Sequence, residues 1–270
     1  MKYWLLLLWP LATLQAYAQP EQMPLDDITS RRLQAEERQL PYPPVREADI
    51  LWEQRVWRTI DTREKINLPF RYPEAPLVSI LLEAIEAGEL RAFSPASESF
   101  AVLMEAEELQ QLLYREDTIP VYDFDLGREV YQVVQDDFDP ASVVRYRLKE
   151  QWYFDSRSSS LQVRILGIAP IVEDRDEQGH VRFEQPLFWV YFPEARQILH
   201  RMPMPQDGTY HSPMSWADLF EMRKFASHVI KVSNIQDARL EALYTGRELL
   251  LKAEQAEENL FNREIGHWQH

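Results

Sequence analysis

The chain has 270 residues, a formal net charge of −15 at pH 7 and no cysteine. An acidic balance of this size opposes binding to nucleic acid and to anionic lipid. The lack of cysteine excludes disulfides, thiol catalysis, cysteine-held metal sites and the lipidated cysteine that anchors bacterial lipoproteins. Only seven glycines occur, so glycine-rich phosphate-binding loops are not expected.

The first 18 residues have the three parts of a cleavable export signal. They contain a basic end at Lys2, an apolar stretch over residues 3–14, and a small-residue exit at residues 16–18. Signal cleavage is therefore expected between Ala18 and Gln19. The apolar stretch is shorter than the roughly 20 residues that span a bilayer, so the sequence predicts a soluble, exported chain without direct membrane insertion.

The rest of the chain divides into an arm and one domain. Residues 19–44 are predicted to be an extended, proline-rich arm or linker, because the run Pro41, Tyr42, Pro43 and Pro44 cannot continue a helix. Residues 45–270 are predicted to form one α+β domain.

The first part of that domain is predicted to be mostly helical. Residues 47–66 carry apolar side chains at three- and four-residue steps, which predicts an amphipathic helix. A second helix is predicted over residues 77–87, with Gly88 in the usual place just beyond a helix end. A short strand over residues 90–93 and a third helix over residues 104–115 follow. The apolar set of the first helix is Ile50, Trp52, Val56, Trp57 and Ile60.

The pattern then changes to alternation of apolar and polar residues. Residues 144–149 and 161–165 predict two half-buried strands, joined by the serine-rich turn 156–160. A turn over residues 174–179 leads to a third strand at residues 181–183. Six consecutive apolar residues, 187–192, predict a strand covered on both faces. The region as a whole predicts an antiparallel meander.

The C-terminal part returns to a helical pattern. A helix is predicted over residues 216–231, where Ser215 and Asp218 match the capping-box signature. A last amphipathic helix is predicted over residues 237–265. The fold class is therefore α+β, with a central antiparallel sheet flanked by amphipathic helices, an extended N-terminal arm and a C-terminal helix.

No residue pattern predicts a catalytic site, a cofactor or a metal. The six histidines are scattered singly, without metal-site spacing, and the common nucleophile and phosphate-binding motifs are missing. Asp174, Asp176 and Gly179 resemble the start of a calcium loop. Its twelfth position is Gln185 rather than glutamate, and the flanks predict strands, so a charged β-turn is favoured.

A second class of function stays open, that of a periplasmic carbohydrate-binding protein or hydrolase. The acidic run Asp136, Asp137 and Asp139 contains carboxylates of the type used in glycoside hydrolysis, but a solvated loop is favoured. Exposed tryptophans can line a sugar platform, although core packing is their default role. The tryptophans concerned are Trp52, Trp57, Trp152, Trp189 and Trp216.

Three blocks of the sequence are highly particular. They are residues 50–73 (ILWEQRVWRTIDTREKINLPFRYP), residues 186–196 (PLFWVYFPEAR) and residues 215–268, which include DLFEMRKFASHVIKVSN and NLFNREIGHW. In these blocks the chain resembles the GldN family of gliding-motility proteins, called PorN in non-gliding relatives, of the type IX secretion system. The resemblance is weakest over residues 89–140, and it identifies residues 45–270 as a GldN/PorN-like domain.

The resemblance implies a structural, non-enzymatic subunit in the periplasm, associated with the outer membrane through a partner. The implied partner is a GldK- or PorK-like lipoprotein, with which family members associate into a ring needed for protein secretion. The periplasmic region of a GldM- or PorM-like motor complex is a second implied partner. Because this chain cannot itself be lipidated, its place at the outer membrane would depend on the partner's lipid.

A partner-contacting face is predicted on the first helix. Tryptophans lie there beside arginines, a combination that is common at interface hot spots. The predicted partner-binding residues are Trp52, Arg55, Trp57, Arg58 and Arg63.

Overall fold

A computed structural model of the protein describes residues 41–123, 128–175, 178, 180–205 and 214–267. Within these ranges the strands are β1 (Ile50–Asp61), β2 (Ala92–Phe93), β3 (Tyr114–Asp123), β4 (Arg128–Asp137), β5 (Val143–Asp155), β6 (Ser160–Arg175), β7 (Val181–Pro186), β8 (Trp189–Tyr191) and β9 (His228–Val232). The helices are α1 (Leu77–Glu86), α2 (Ala106–Leu113), α3 (Phe192–Arg201), α4 (Trp216–Glu221), α5 (Leu240–Leu243) and α6 (Gly246–His267). Short 3-10 segments cover Glu47–Asp49, Lys65–Arg71 and Pro140–Ser142.

A seven-stranded antiparallel sheet forms the centre of the domain, in the order β2-β8-β6-β5-β1-β9, with β7 also paired to β6. The long strands β5 and β6 are joined by a tight turn at residues 156–159, where the serine-rich turn was predicted. Strands β3 and β4 form a separate two-stranded sheet. The predicted α+β class, with a central antiparallel sheet, helices and a C-terminal helix, is confirmed.

The first element differs from its prediction, because residues 50–61 form strand β1 and not a helix. β1 lies between β5 and β9 and pairs with both. Val56 and Trp57 are adjacent in sequence and point to opposite faces, yet both are buried. Trp52, Val56 and Ile60 lie on one face and recur every four residues. Together with Trp57 on the other face, they produce the three- and four-residue steps that are typical of an amphipathic helix.

The predicted helix over residues 216–231 is correct only in its first half. α4 begins with the predicted capping box, in which Asp218 N donates to Ser215 and the Asp218 carboxylate accepts from Ser215 N. The helix ends at Glu221, and Arg223 adopts a left-handed backbone with φ +53°. That turn redirects the chain into β9, which becomes the edge strand beside β1.

Other boundaries follow the sequence more closely. α1 ends before Gly88, whose φ of +72° fits the predicted helix-end glycine. The predicted last helix is divided into α5 and α6. Of the predicted strand 187–192, only the residues of β8 are strand, and α3 begins at Phe192. No sequence pattern predicted the β3–β4 hairpin. Residues 1–40, which include the predicted signal peptide, lie outside the described residues.

The main core lies on one face of the sheet, under α1, α3 and α4. Phe70, from the 3-10 segment after β1, occupies its middle. Its ring centroid lies 5.4 Å from that of Tyr146, 5.2 Å from that of Trp216 and 5.8 Å from that of Phe220. Among the described helices, none combines the length and apolar character needed to cross a membrane.

A smaller apolar cluster lies on the opposite face of the sheet. It contains Trp57, Phe93, Ala169, Trp189 and Ile230, with Phe100 and Tyr191 packed against it. Burial of Trp189 and Trp216 confirms the predicted core role of these two tryptophans, and Trp57, which was predicted to contact a partner, is buried as well. Trp52 and Trp152 are half-buried against a third cluster, formed by Val56, Val229 and Leu260.

Candidate functional site

The five predicted partner-binding residues do not form one surface, because they lie on and beside a strand. Trp52 and Arg58 lie on the sheet face under α6, whereas Arg55 and Trp57 lie on the other face. Arg63 follows the end of β1 and pairs with the Asp61 carboxylate at 2.5 Å. The prediction of a helix that would group these residues is wrong, because residues 50–61 form a strand. Their contact with a partner stays a prediction.

Arg58 holds the C-terminal helix against the sheet. Its Nη2 donates to Glu257 Oε1 of α6 at 2.7 Å, and its Nε donates to Ser227 Oγ at 2.9 Å. The side chain is 11% exposed, and burial lowers its pKa, while the carboxylates of Glu150 and Glu257 oppose that shift. These contacts give Arg58 a role within the fold.

A second buried ion pair lies beside Arg58. The Glu150 side chain is fully buried, and its Oε1 accepts from Arg223 Nη1 at 2.8 Å. Its Oε2 accepts from Trp152 Nε1 at 2.9 Å. The Arg223 guanidinium also lies over the rings of Trp152 and Phe225, at 5.5 Å and 5.4 Å from their centroids. This network joins β5 to the turn that ends α4.

On the other face of the sheet, Arg55 and Trp57 line a cleft of about 590 Å³, which we call the basic cleft. Sheet register brings its cations together. Lys149 on β5 and Lys231 on β9 are both partners of Trp57 on β1, and Arg147 lies two residues before Lys149 on the same face. The cationic residues that line the basic cleft are Arg55, Arg147, Lys149, Lys231 and Arg239.

Two buried ammonium groups contact the Trp57 ring. Lys231 Nζ lies 4.2 Å from the ring centroid, and Lys149 Nζ lies 5.9 Å from it and 4.8 Å from the centroid of Phe100. Aromatic faces attract cations, and more strongly where water is excluded. Burial lowers the pKa of Lys149. The Lys149 ammonium donates to the backbone carbonyl of Glu98.

Three carboxylates also line the basic cleft. Glu98 accepts from Lys231 at 3.4 Å and from Arg239 at 3.0 Å. Asp237 pairs with Lys231 at 2.7 Å, and this hydrogen bond lowers the pKa of Asp237. Glu184 pairs with Arg145. These pairs bind the loop of Glu98 and the segment before α5 to the face of the sheet.

Arg147 differs from the other cations of the cleft. Its side chain is buried, at 5% exposure, and its Nε has no hydrogen-bond partner among the described residues. It forms no ion pair within 4.0 Å in that part of the chain. Burial, together with the neighbouring charge of Arg239, lowers the pKa of Arg147 to about 10, while the carboxylates of Glu98 and Glu241 oppose that shift. The group therefore stays charged at neutral pH without a direct counter-charge.

A groove of about 1190 Å³ lies between the end of β9 and the C-terminal helices. Val232, Leu240, Leu243 and Tyr244 are among its lining residues. Ile235, which also lines the groove, is fully exposed, and on α6 Leu250 is 70% exposed and Leu251 is 52% exposed. Apolar side chains that cluster on a surface mark sites of protein interaction.

The other sets singled out in the sequence form no site among the described residues. Asp136 and Asp137 end strand β4 instead of lying in a loop, and Asp139 Oδ1 accepts from Ala141 N at 2.9 Å. Asp176 and Gly179 of the calcium-like turn lie outside the described residues. Within the described ranges, no group of three or more histidines or carboxylates is placed to hold a metal ion.

The alternation over residues 144–149 predicts that Arg147 and Lys149 lie on the polar side of a half-buried strand. Their alternation with Tyr146 and Leu148 was visible, and it correctly placed them on one face. The burial of that face was not visible in the sequence, because the groups that cover it are distant in the chain. Glu98 lies 51 residues from Lys149, which donates to it. Arg239 lies 141 residues from Glu98, to which it donates.

Comparison with known families adds one finding. A family model described as gliding motility associated protein GldN matches residues 45–269. This range contains both faces of the sheet, the basic cleft and the C-terminal helix. No curated protein matches the chain.

Proposed function

The chain belongs to the GldN family, components of gliding motility and type IX secretion, and we propose that it is a structural periplasmic subunit of that machinery. In this proposal it assembles with a GldK- or PorK-like outer-membrane lipoprotein into a ring. The observation that carries the proposal is the family match over residues 45–269, which spans nearly all of the described fold.

The proposed location is the periplasm, at the outer membrane. The export signal expected in residues 1–18 supports export to the periplasm. The chain has no cysteine to receive a lipid of its own. A chain of this kind requires a lipidated partner if it is to stay at the membrane. The same proposal includes self-association within the ring and contact with the periplasmic region of a GldM- or PorM-like motor complex.

The exposed apolar residues support an assembly role. Leu250 and Leu251 on α6, with Leu243 and Ile235 nearby in sequence, expose large apolar side chains in a strongly acidic chain. Exposure of apolar side chains to water is unfavourable, and their burial under a neighbouring subunit would therefore stabilise an assembly. We place a subunit contact at this surface.

We also propose a role without catalysis. The family is a structural component of the machinery and is not a known enzyme family. The alternative, a carbohydrate-binding protein or hydrolase, needs tryptophans on the surface. Trp57, Trp189 and Trp216 are buried, and Trp52 and Trp152 are half-buried against the third cluster, so none of the five is fully exposed.

Purification from membranes tests the proposal. The chain, tagged after His270, would be captured from gently solubilised envelopes and examined by mass spectrometry and electron microscopy. The expected result is a ring that contains a lipoprotein. A lone monomer would contradict the proposal. A version lacking residues 1–18 is the control, because it should stay in the cytoplasm and capture no lipoprotein.

A matched pair of variants locates the subunit contact. Leu250→Asp with Leu251→Asp should reduce ring assembly at least tenfold and leave the melting temperature unchanged, because both side chains are exposed. Arg157→Asp changes the net charge by the same two units at an exposed position of the β5–β6 turn, and it should assemble normally. Equal assembly of the leucine variant and this control would place the contact elsewhere.

A further inference from the structure

Arg147 is a buried cation without a direct partner among the described residues. Burial of a charge costs several kcal/mol unless hydrogen bonds and an opposite charge compensate for it. The other two buried cations of the basic cleft have such compensation: Lys149 donates to a carbonyl, and Lys231 pairs with two carboxylates. Arg147 lines the same cleft, and among the described residues its Nε has no hydrogen-bond partner and its guanidinium no ion pair within 4.0 Å. The carboxylates of Glu98 and Glu241 favour its charge only from a greater distance.

Five cations and three carboxylates line the cleft, so its lining carries an excess of two positive charges. All three carboxylates are already paired: Glu98 and Asp237 with cations of the cleft, and Glu184 with Arg145. The chain as a whole has a net charge of −15. An acidic ligand is therefore repelled by most of this protein and attracted to the cleft.

A segment of the chain itself shows how the cleft binds a peptide. The backbone carbonyl of Glu98 accepts from Lys149, and its carboxylate accepts from Lys231 and Arg239. Trp57, Pro95 and Pro186 add apolar lining beside these polar contacts. The cleft therefore already binds a glutamate residue through both its backbone and its side chain.

We propose that the basic cleft is a docking site for an acidic peptide segment of a protein partner, and that Arg147 binds a carboxylate of that segment. A planar guanidinium fits a carboxylate with two parallel hydrogen bonds. A space of about 590 Å³ lies within the usual range for ligand sites, about 300–1,000 Å³. This inference does not depend on ring assembly, and it holds or fails on binding alone.

Fluorescence anisotropy with defined peptides tests the inference. The probe is fluorescein-labelled hexaglutamate, with hexaglutamine as its uncharged match, added to purified mature chain in low-salt buffer. Hexaglutamate should bind, and its binding should weaken as salt is raised. Hexaglutamine should not bind. Failure of hexaglutamate to bind, or equal binding of the two peptides, would overturn the proposal.

Two arginine variants assign the binding to the cleft. Arg147→Met should weaken hexaglutamate binding at least tenfold. It should keep or raise the melting temperature, because it removes a buried charge that has no direct partner among the described residues. Arg157→Met, at an exposed position of the β5–β6 turn, should bind as the unaltered chain does. Equal affinity of the two variants would overturn the assignment.

Two measurements on the unaltered chain keep the test independent of how the variants fold. Hexaglutamate carrying a photo-crosslinker should attach to residues that line the cleft, such as Pro95 or Arg239, and attachment elsewhere would contradict the proposal. Inorganic phosphate is the competitor. If phosphate displaces the peptide at equal charge concentration, the cleft is a small-anion site and the peptide assignment is wrong.

Discussion

Glu150 and Arg223 form an ion pair of 2.8 Å between β5 and the turn that ends α4, and the glutamate side chain is fully buried. The two residues are 73 positions apart in the chain. The left-handed backbone of Arg223 directs the chain out of α4 toward β9. The pair therefore holds β5 against the turn through which the chain leaves α4, in the main core, and continues to the edge strand β9.

Glu150→Ala should lower the free energy of unfolding by about 3–5 kcal/mol, the usual cost of removing one partner of a buried pair. The variant leaves Arg223 without its carboxylate and Trp152 Nε1 without an acceptor. Urea denaturation measures the change. Glu53→Ala, at an exposed position of β1, should change it by about 0.5 kcal/mol or less. Equal effects of the two variants would contradict the role of the pair.

Gly167→Ala should destabilise the protein by about 1–3 kcal/mol, as overpacking in a core does. A methyl group at this position of β6 would overlap the ring of Phe100 and lie 3.2 Å from Cε3 of Trp189. The Phe100 ring is held edge-on against Phe93, Trp189 and Tyr191, so it cannot move freely.

A double-mutant cycle identifies Phe100 as the cause. With Phe100→Ala already present, Gly167→Ala should cost less than about 1 kcal/mol, because the overlapping ring is gone. Chemical denaturation of the four proteins measures the coupling. An unchanged cost of Gly167→Ala in the Phe100→Ala background would show that the strain lies elsewhere.

Arg58→Ala should loosen the C-terminal helix, because it removes the hydrogen bonds to Glu257 and Ser227. The expected loss is about 2 kcal/mol, typical of hydrogen bonds to a charged group. Hydrogen exchange should show faster exchange in α6. Arg55→Ala, at an exposed position on the other face of the same strand, should leave exchange in α6 unchanged.

The same pair separates folding from partner binding. If Arg55→Ala reduces capture of the lipoprotein while the melting temperature is unchanged, Arg55 contacts a partner. A loss of capture with Arg58→Ala alone would follow from the loosened helix. Faster exchange in α6 with Arg55→Ala would contradict this division of roles.

Asp61 makes the stability depend on acid. The hydrogen bond from Arg63 holds the pKa of Asp61 well below its usual range, and Arg145 adds to this effect. Since the pKa is lowered in the folded state, the stabilisation is complete above the unfolded value of about 4 and is lost as the pH falls toward the folded value.

Asp61→Asn should therefore lower the free energy of unfolding by about 1–2 kcal/mol at pH 7. The difference from the unaltered chain should shrink as the pH falls below about 4. Urea denaturation at pH 7, 4 and 3 measures it. A difference that stays constant from pH 7 to pH 3 would show that the charge of Asp61 is not responsible.

The error at β1 has a physical cause. A strand with one buried face alternates apolar and polar residues, but β1 is covered on both faces, by α6 and the main core on one side and by the Trp57 cluster on the other. Apolar residues then follow no two-residue period. β9 was missed in a similar way, since its pattern continues that of α4, and the two are separated by residues 222–227, which include the left-handed turn at Arg223.

The candidate site was less predictable than the fold. Arg55 and Trp57 were chosen as part of an exposed helical face, and they line the basic cleft instead. Arg147 and Lys231, which distinguish the cleft, were not chosen, because a charged residue on a half-buried strand normally faces water. Their burial depends on loops that are distant in sequence.

The sequence by itself determined the α+β class, the capping box at Ser215 and Asp218, the end of α1 at Gly88, and the family. Each of these depends on residues that are close together in the chain or on whole blocks of sequence. Only the tertiary structure decided which face of β1 each side chain occupies and that Arg147 is buried without a counter-charge. These properties depend on contacts between residues far apart in the chain, which no local pattern records.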